Sequence, residues 1–167
     1  MYTRILLAYD GSVEGRLALR EGARLAQICG SDIFLLSVVG TPGPLVNSGI
    51  AMAYTATPPV TDADRETYEK VLAEGVERLK NMGLSPRCRL VFGDPGQQIV
   101  ELAGEINADL VIVGHGRRGV IARWFQGSVG KYLLDHLHCS MLVGRKEVTD
   151  EVLFSHAALA AEATGRE

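Results

Sequence analysis

The chain has 167 residues, 47% hydrophobic and 22% charged, with a formal net charge of −3. This is ordinary globular composition, sufficient for one domain that buries a full core without disulfide or metal staples. The acidic balance argues against a nucleic-acid partner, although Arg117, Arg118 and Arg123 cluster locally. No apolar run approaches the roughly 18 residues that cross a bilayer, so no membrane span is expected.

Arg4–Tyr9 (RILLAY) is a short, continuously apolar run that stops at the turn signal DGS, as a strand buried on both faces does. Ser12 is placed to cap a helix over Val13–Cys29, and Gly30 to end it. Within that span Val13, Leu17, Ala18, Leu25, Ala26 and Ile28 recur at helical spacing. Asp32–Val39 (DIFLLSVV) is a second buried strand. The stretch from Gly40 to Thr61 is about twenty residues rich in Gly, Pro, Thr and Ala, without a period; loops of that length are usually functional or disordered. Thr61 and Asp64 form a capping pattern for a helix ending near Met82, with Tyr68, Val71, Leu72, Val76 and Leu79 on one face and Gly83 closing it.

In Arg87–Phe92 (RCRLVF), Cys88, Leu90 and Phe92 alternate with their neighbours as the apolar face of a strand. Asp94 is an N-cap and Pro95 a first-turn residue for a helix carrying Ile99, Val100, Leu102, Ala103 and Ile106. Asp109–Gly114 (DLVIVG) is a fourth strand, Ser128–Leu137 a helix and Ser140–Arg145 (SMLVGR) a fifth strand. This alternation predicts an α/β fold: a three-layer sandwich in which a five-stranded parallel sheet carries helices on both faces. The domain is expected over 1–146. Residues 147–167 hold a weak apolar face (Leu153, Ala157, Ala160 and Ala161 behind a capping Asp150) and read as a loosely packed tail, a short helix or disorder.

Gly114–Ser128 (GHGRRGVIARWFQGS) raises the question of function. It opens G-x-G-x-x-G after a strand, the spelling of a dinucleotide fingerprint. That fingerprint belongs at the first strand-to-helix turn, which here is YDGS with a single glycine, and Gly127-Ser128 interrupts the helix that Gly119 would have to start. A phosphate-binding P-loop fails too, because Tyr132 follows Gly130-Lys131, and no G-x-S-x-G nucleophile elbow surrounds Ser128. What remains is a simpler phosphate cradle. Gly114 ends a strand at the carboxyl edge of the sheet, where open α/β sheets bind ligands. Gly127-Ser128 opens a helix whose free N–H groups and partial positive charge suit a phosphate. Asp10 is expected at the same edge, on a neighbouring or near-neighbouring strand.

With these residues in place, the chain resembles the universal stress proteins of the single-domain, adenine-nucleotide-binding kind. The resemblance is carried by ILLAYDGS at the first strand, LLSVV at the second, VFGDPGQQIVELAGEINADLVIVG leading into the fourth, and GSVGKYLLDHLHCSMLVGR at the closing helix and strand. It covers residues 1–146 and implies a HUP-type fold, like that of the adenine nucleotide alpha hydrolases. The family's pattern is G-x-x-G, nine residues, then G-[ST]. Gly114, Gly127 and Ser128 keep it, whereas the inner glycine falls at Arg117, with Gly116 one place early, and Ala8 stands where many members have proline. By this resemblance Asp10 and the backbone at Ala8 and Val38 bound the adenosine, with Tyr9 between them. Val113 and Gly114 face the ribose, and Gly127, Ser128 and Val129 offer N–H groups to the phosphates. Arg117 or Gly116 takes the inner glycine's place, and Ser12 is a further phosphate contact. The implied ligand is ATP or AMP, with Mg²⁺ a candidate companion for which no ligand set is named. A homodimer through the strand at 140–145 is implied as well.

The resulting expectation is a cytoplasmic stress-response module that binds an adenine nucleotide and acts through conformation or partner binding. Two other readings stay open: an interaction protein that binds no nucleotide, motivated by Arg117, and a weak ATPase. No catalytic residue is assigned, since phosphoryl transfer needs a positioned nucleophile, a metal site and charge stabilisation. His115 is read as a polar loop residue, His136, His138 and His156 as solvent-facing, and Trp124 and Phe125 as packing groups or a partner surface. Cys29, Cys88 and Cys139 are odd in number and widely spaced. They fit no metal pattern, His138-Cys139 included. Free thiols and an N-terminal apolar run too short for a signal peptide point to the cytoplasm.

Overall fold

Five apolar segments line up as one parallel sheet in the computed structural model, which describes residues 1–40, 61–115 and 129–144. The strands are β1 (Arg4–Ala8), β2 (Asp32–Gly40), β3 (Arg87–Gly93), β4 (Leu110–Gly114) and β5 (Ser140–Gly144), in the spatial order β3-β2-β1-β4-β5. The helices are α1 (Val13–Cys29), α2 (Asp62–Asn81), α3 (Pro95–Glu105) and α4 (Val129–His136). Each pair of neighbouring strands is parallel, with Leu6 opposite Phe34 on one side and Val111 on the other. This is the expected three-layer α/β sandwich.

Period-2 alternation divides the sheet into two faces. Leu6, Ala8, Leu36, Val38, Val111 and Val113 pack with Ile99, Leu102 and Ala103 of α3 and Val129 and Leu133 of α4. Ile5, Leu7, Tyr9, Leu35, Leu110 and Ile112 pack with Ala18, Leu19, Ala23 and Ala26 of α1 and Leu79 of α2. The helix ends follow local chemistry. The Ser12 side chain accepts from the Gly15 amide, and Gly30 ends α1 in the left-handed region at φ 66° that glycine enters without a steric cost. Thr61 and Asp64 form a reciprocal capping box, and Asp94 accepts from the Gln97 amide ahead of Pro95. No described helix is long and apolar enough to cross a membrane.

The strand expected at Arg87–Phe92 forms as β3. Cys88, Leu90 and Phe92 do share a face of β3, yet Cys88 is exposed and Phe92 is 41% exposed. The reason is position: β3 is the outermost strand, so α2 covers that face only in part. The loop at 41–60, the segment at 116–128 and the tail at 145–167 lie outside the described residues.

Candidate functional site

The strand order creates a crevice before any side chain is considered. From β1 the chain passes through α1 to β2 on one side; β4, on the other side of β1, leads through α4 to β5. The helices α1 and α4 pack on opposite faces of the sheet. The carboxyl ends of β1 and β4 therefore lie side by side where the connections diverge, the switch point at which open α/β sheets hold ligands.

Asp10 stands just beyond β1. Its Oδ1 accepts hydrogen bonds from the Ser12 amide at 3.1 Å and the Ser12 hydroxyl at 2.6 Å. The same hydroxyl oxygen accepts from the Gly15 amide at 2.9 Å, so Ser12 joins the carboxylate to the first turn of α1. Burial pushes the Asp10 carboxyl above its ordinary range, against the pull of the Ser12 hydrogen bonds. A Cβ at position 15 would sit 2.5 Å from Asp10 Oδ1, which shows how closely the carboxylate lies on the helix.

Tyr9 faces the other way. Its side chain is 2% exposed, within the core under α1 and α2, and its hydroxyl donates to Glu74 at 3.0 Å. Glu74 also meets Arg16 at 3.0 Å and Arg78 at 2.7 Å. Burial raises the Glu74 carboxyl, but the hydrogen bonds from Arg78, Arg16 and Tyr9 outweigh it and hold the group below its ordinary value. Burial pushes the Tyr9 phenol upward. The Tyr9 backbone is fixed as well: its amide donates to the Leu36 carbonyl at 2.8 Å, and its carbonyl accepts from the Ser37 hydroxyl at 2.8 Å. Ser37 is the one polar side chain buried among the described residues, and its only sequence signal is a lone hydroxyl inside DIFLLSVV. Glu74 carries only the local signal of its i,i+4 pair with Arg78; Tyr9 and Arg16 reach it from other elements.

Ala8, Val38 and Val113 share the α3/α4 face and are buried in the core. What they offer a ligand is backbone at the strand ends. Gly114 is demanded by packing: an added Cβ would lie 2.7 Å from the Glu14 carbonyl group and 2.8 Å from the Gly15 amide nitrogen. Beyond it, the His115 amide donates to the Gly144 carbonyl at 2.9 Å. Val129, buried, opens α4. Gly116, Arg117, Gly127 and Ser128 fall outside the described residues. The structure thus brings together Asp10, Ser12 and the Val113–Gly114 backbone at the edge where β4 gives way to α4.

A family model described as the universal stress protein family matches residues 1–145. A Staphylococcus aureus (strain USA300) relative assigned to the universal stress proteins is 30% identical over 148 residues, spanning 87% of this chain and 86% of that one. Among solved structures, the universal stress protein UspA from Lactobacillus plantarum has a TM-score of 0.68 at 23% identity, over 86% of this chain and 98% of its own. The universal stress protein from Archaeoglobus fulgidus in complex with dAMP has a TM-score of 0.61 at 19% identity, over 85% and 97%. These two likenesses show a shared fold. With the family match and the relative beside them, the chain belongs to the universal stress protein family.

Proposed function

We propose that this universal stress protein binds an adenine nucleotide, AMP or ATP, in the crevice between the carboxyl ends of β1 and β4. The observation that carries the reading is the switch point itself, which sets Asp10 beside the Val113–Gly114 backbone. Ser12 occupies Oδ1 of Asp10, leaving Oδ2 to accept from an adenine amino group or a ribose hydroxyl. The phosphates then run toward Gly127, Ser128 and the amino end of α4, with Gly116 or Arg117 beside them. The dAMP held by the Archaeoglobus fulgidus protein supports the ligand class. Among the described residues no group of three His, Cys, Asp or Glu could hold a metal ion, so Mg²⁺ would arrive on the phosphates of ATP. The protein works in the cytoplasm as a stress-response module, through a ligand-dependent population shift rather than turnover. It pairs with a second copy through β5, which among the described strands pairs with β4 alone and so turns one edge outward.

The test is nucleotide content. The protein is purified without added ligand and denatured, and the released small molecules are identified by mass spectrometry. Wild type carries adenine nucleotide and Gly127→Asp carries none. An empty wild type that also shows no thermal shift with millimolar AMP or ATP overturns the reading. It would favour the interaction-protein reading, which rests on Arg117 at the family's inner glycine position.

A further inference from the structure

The outer strand β3 carries features that nucleotide binding leaves unused. Among the described strands it pairs with β2 alone, so its 7 residues turn one side of their backbone outward, and such an edge is a template for another chain. Each face of this edge is flanked by a cleft of different chemistry. On the α3 face, Arg87 and Arg89 join Arg4, Asp32, Phe34 and Glu105 around a cleft of about 450 Å³. Glu105 holds Arg89, with one nitrogen–oxygen distance of 2.7 Å. Arg87 lies 5.2 Å over the Phe34 ring, and neither it nor Arg4 makes an ion pair among the described residues. On the α2 face, Cys88 opens onto a groove of about 470 Å³ walled by Leu72, Ala73 and Val76.

We propose that β3 is a docking edge for an extended peptide in which acidic and apolar residues alternate, added to the sheet as a further strand. Strand addition draws affinity from backbone hydrogen bonds and specificity from alternate side chains. In an added strand successive side chains point to opposite faces. Acidic residues therefore reach Arg87 while apolar residues enter the Leu72–Val76 groove. Register is pinned, because a slip of one residue would put carboxylates against the apolar groove. Charge also decides against a second copy of this chain as the occupant. A second β3 strand (RCRLVFG) brings no carboxylate to Arg87 in either direction, so it lacks the complementary charge. The proposal does not depend on nucleotide binding, which belongs to the other end of the sheet's middle strands.

The test uses the full chain and a labelled synthetic peptide, acetyl-Val-Asp-Val-Glu-Val-Asp-Val-amide. Fluorescence anisotropy gives affinity, and amide chemical shifts give location. The expected result is saturable binding with shifts concentrated at 87–93. Arg87→Glu weakens it by about tenfold or more, and a peptide with lysine at the acidic positions binds weakly to wild type but gains affinity for Arg87→Glu. Val76→Asp, on the opposite face, weakens the acidic peptide without reversing the charge preference. Shifts elsewhere, binding indifferent to peptide charge, or no binding at millimolar peptide overturn the proposal. So does a wild-type mass in solution that changes on Arg87→Glu alone, which would make a second copy the occupant. Should Arg87→Glu fail to fold, the two peptides on wild type and Val76→Asp still decide.

Discussion

The middle of the sheet and its β3 edge use the same parallel pairing and serve opposite ends. In β1 and β4, Ile5, Leu6, Val111 and Ile112 have no solvent exposure, because helices cover both faces. In β3 no residue is buried. A strand covered on both faces and flanked on both sides meets solvent only at its ends. It can present backbone and one carboxylate to a small molecule there and nowhere else along its length. A half-covered edge strand presents its whole length and can meet a chain. Position within the sheet, rather than strand chemistry, separates these two roles.

The contrast can be tested by substitution, and the largest effect belongs to the middle. Gly114→Val places a Cβ 2.7 Å from the Glu14 backbone. Backbone cannot swing aside as a side chain can, so we expect a loss of about 3 kcal/mol, the cost of overpacking a tight core. Urea unfolding measures it, and a loss too small to resolve would show that β4 and α1 are not locked as described.

An intermediate effect belongs to Asp109, which ties the amino end of β4 to β1. It accepts from the Thr3 amide and hydroxyl, each at 2.7 Å, and from the Arg4 amide at 3.1 Å. Burial raises this carboxyl, but those hydrogen bonds outweigh it and hold it below its ordinary value. A depressed folded value contributes stability above the unfolded value of about 4, and that stability is lost as pH falls through the folded value. Asp109→Asn should cost about 1 kcal/mol at neutral pH, discounted for solvent screening. The gap between wild type and variant should close as the medium is acidified below pH about 4. A gap that stays constant with pH would mean the carboxylate's charge plays no part.

The smallest effect belongs to the edge. Phe92 is 41% exposed, and Arg65 lies 5.8 Å from its ring centroid. Phe92→Thr should cost about 0.5 kcal/mol, the scale of an exposed cation–π contact. A loss like that of Gly114→Val would mean that β3 is covered after all, and would weaken the docking proposal with it.

Much of this architecture was readable residue by residue. Ser12, Gly30, the Thr61–Asp64 pair and Asp94-Pro95 mark helix ends because a cap is satisfied by groups three or four positions away. The adjacency of Asp10 and Gly114 was readable more loosely, from the βα order and the general rule for open sheets. In the Tyr9–Glu74–Arg16–Arg78 cluster only the i,i+4 pair Glu74–Arg78 was readable, since Tyr9, just beyond β1, and Arg16 of α1 meet it only when the helices dock. Gly114 shows a subtler limit. As a motif it suggested a ligand, and the structure adds an independent demand for glycine from the first turn of α1. Cys88 and Phe92 show the plainest one: alternation reports a strand with an apolar face and says nothing about whether a neighbour covers it.

Local chemistry alone therefore settled the nine elements of the described residues and their caps, since each depends on side-chain period and on groups a few residues apart, and the alternation of those elements settled the parallel character of the sheet. Tertiary structure decided the order β3-β2-β1-β4-β5, and with it which strand ends meet and which edge stays open. Strands far apart in the chain pair according to which faces the helices can cover together, and that balance of burial is a property of the assembled layers that no single segment carries.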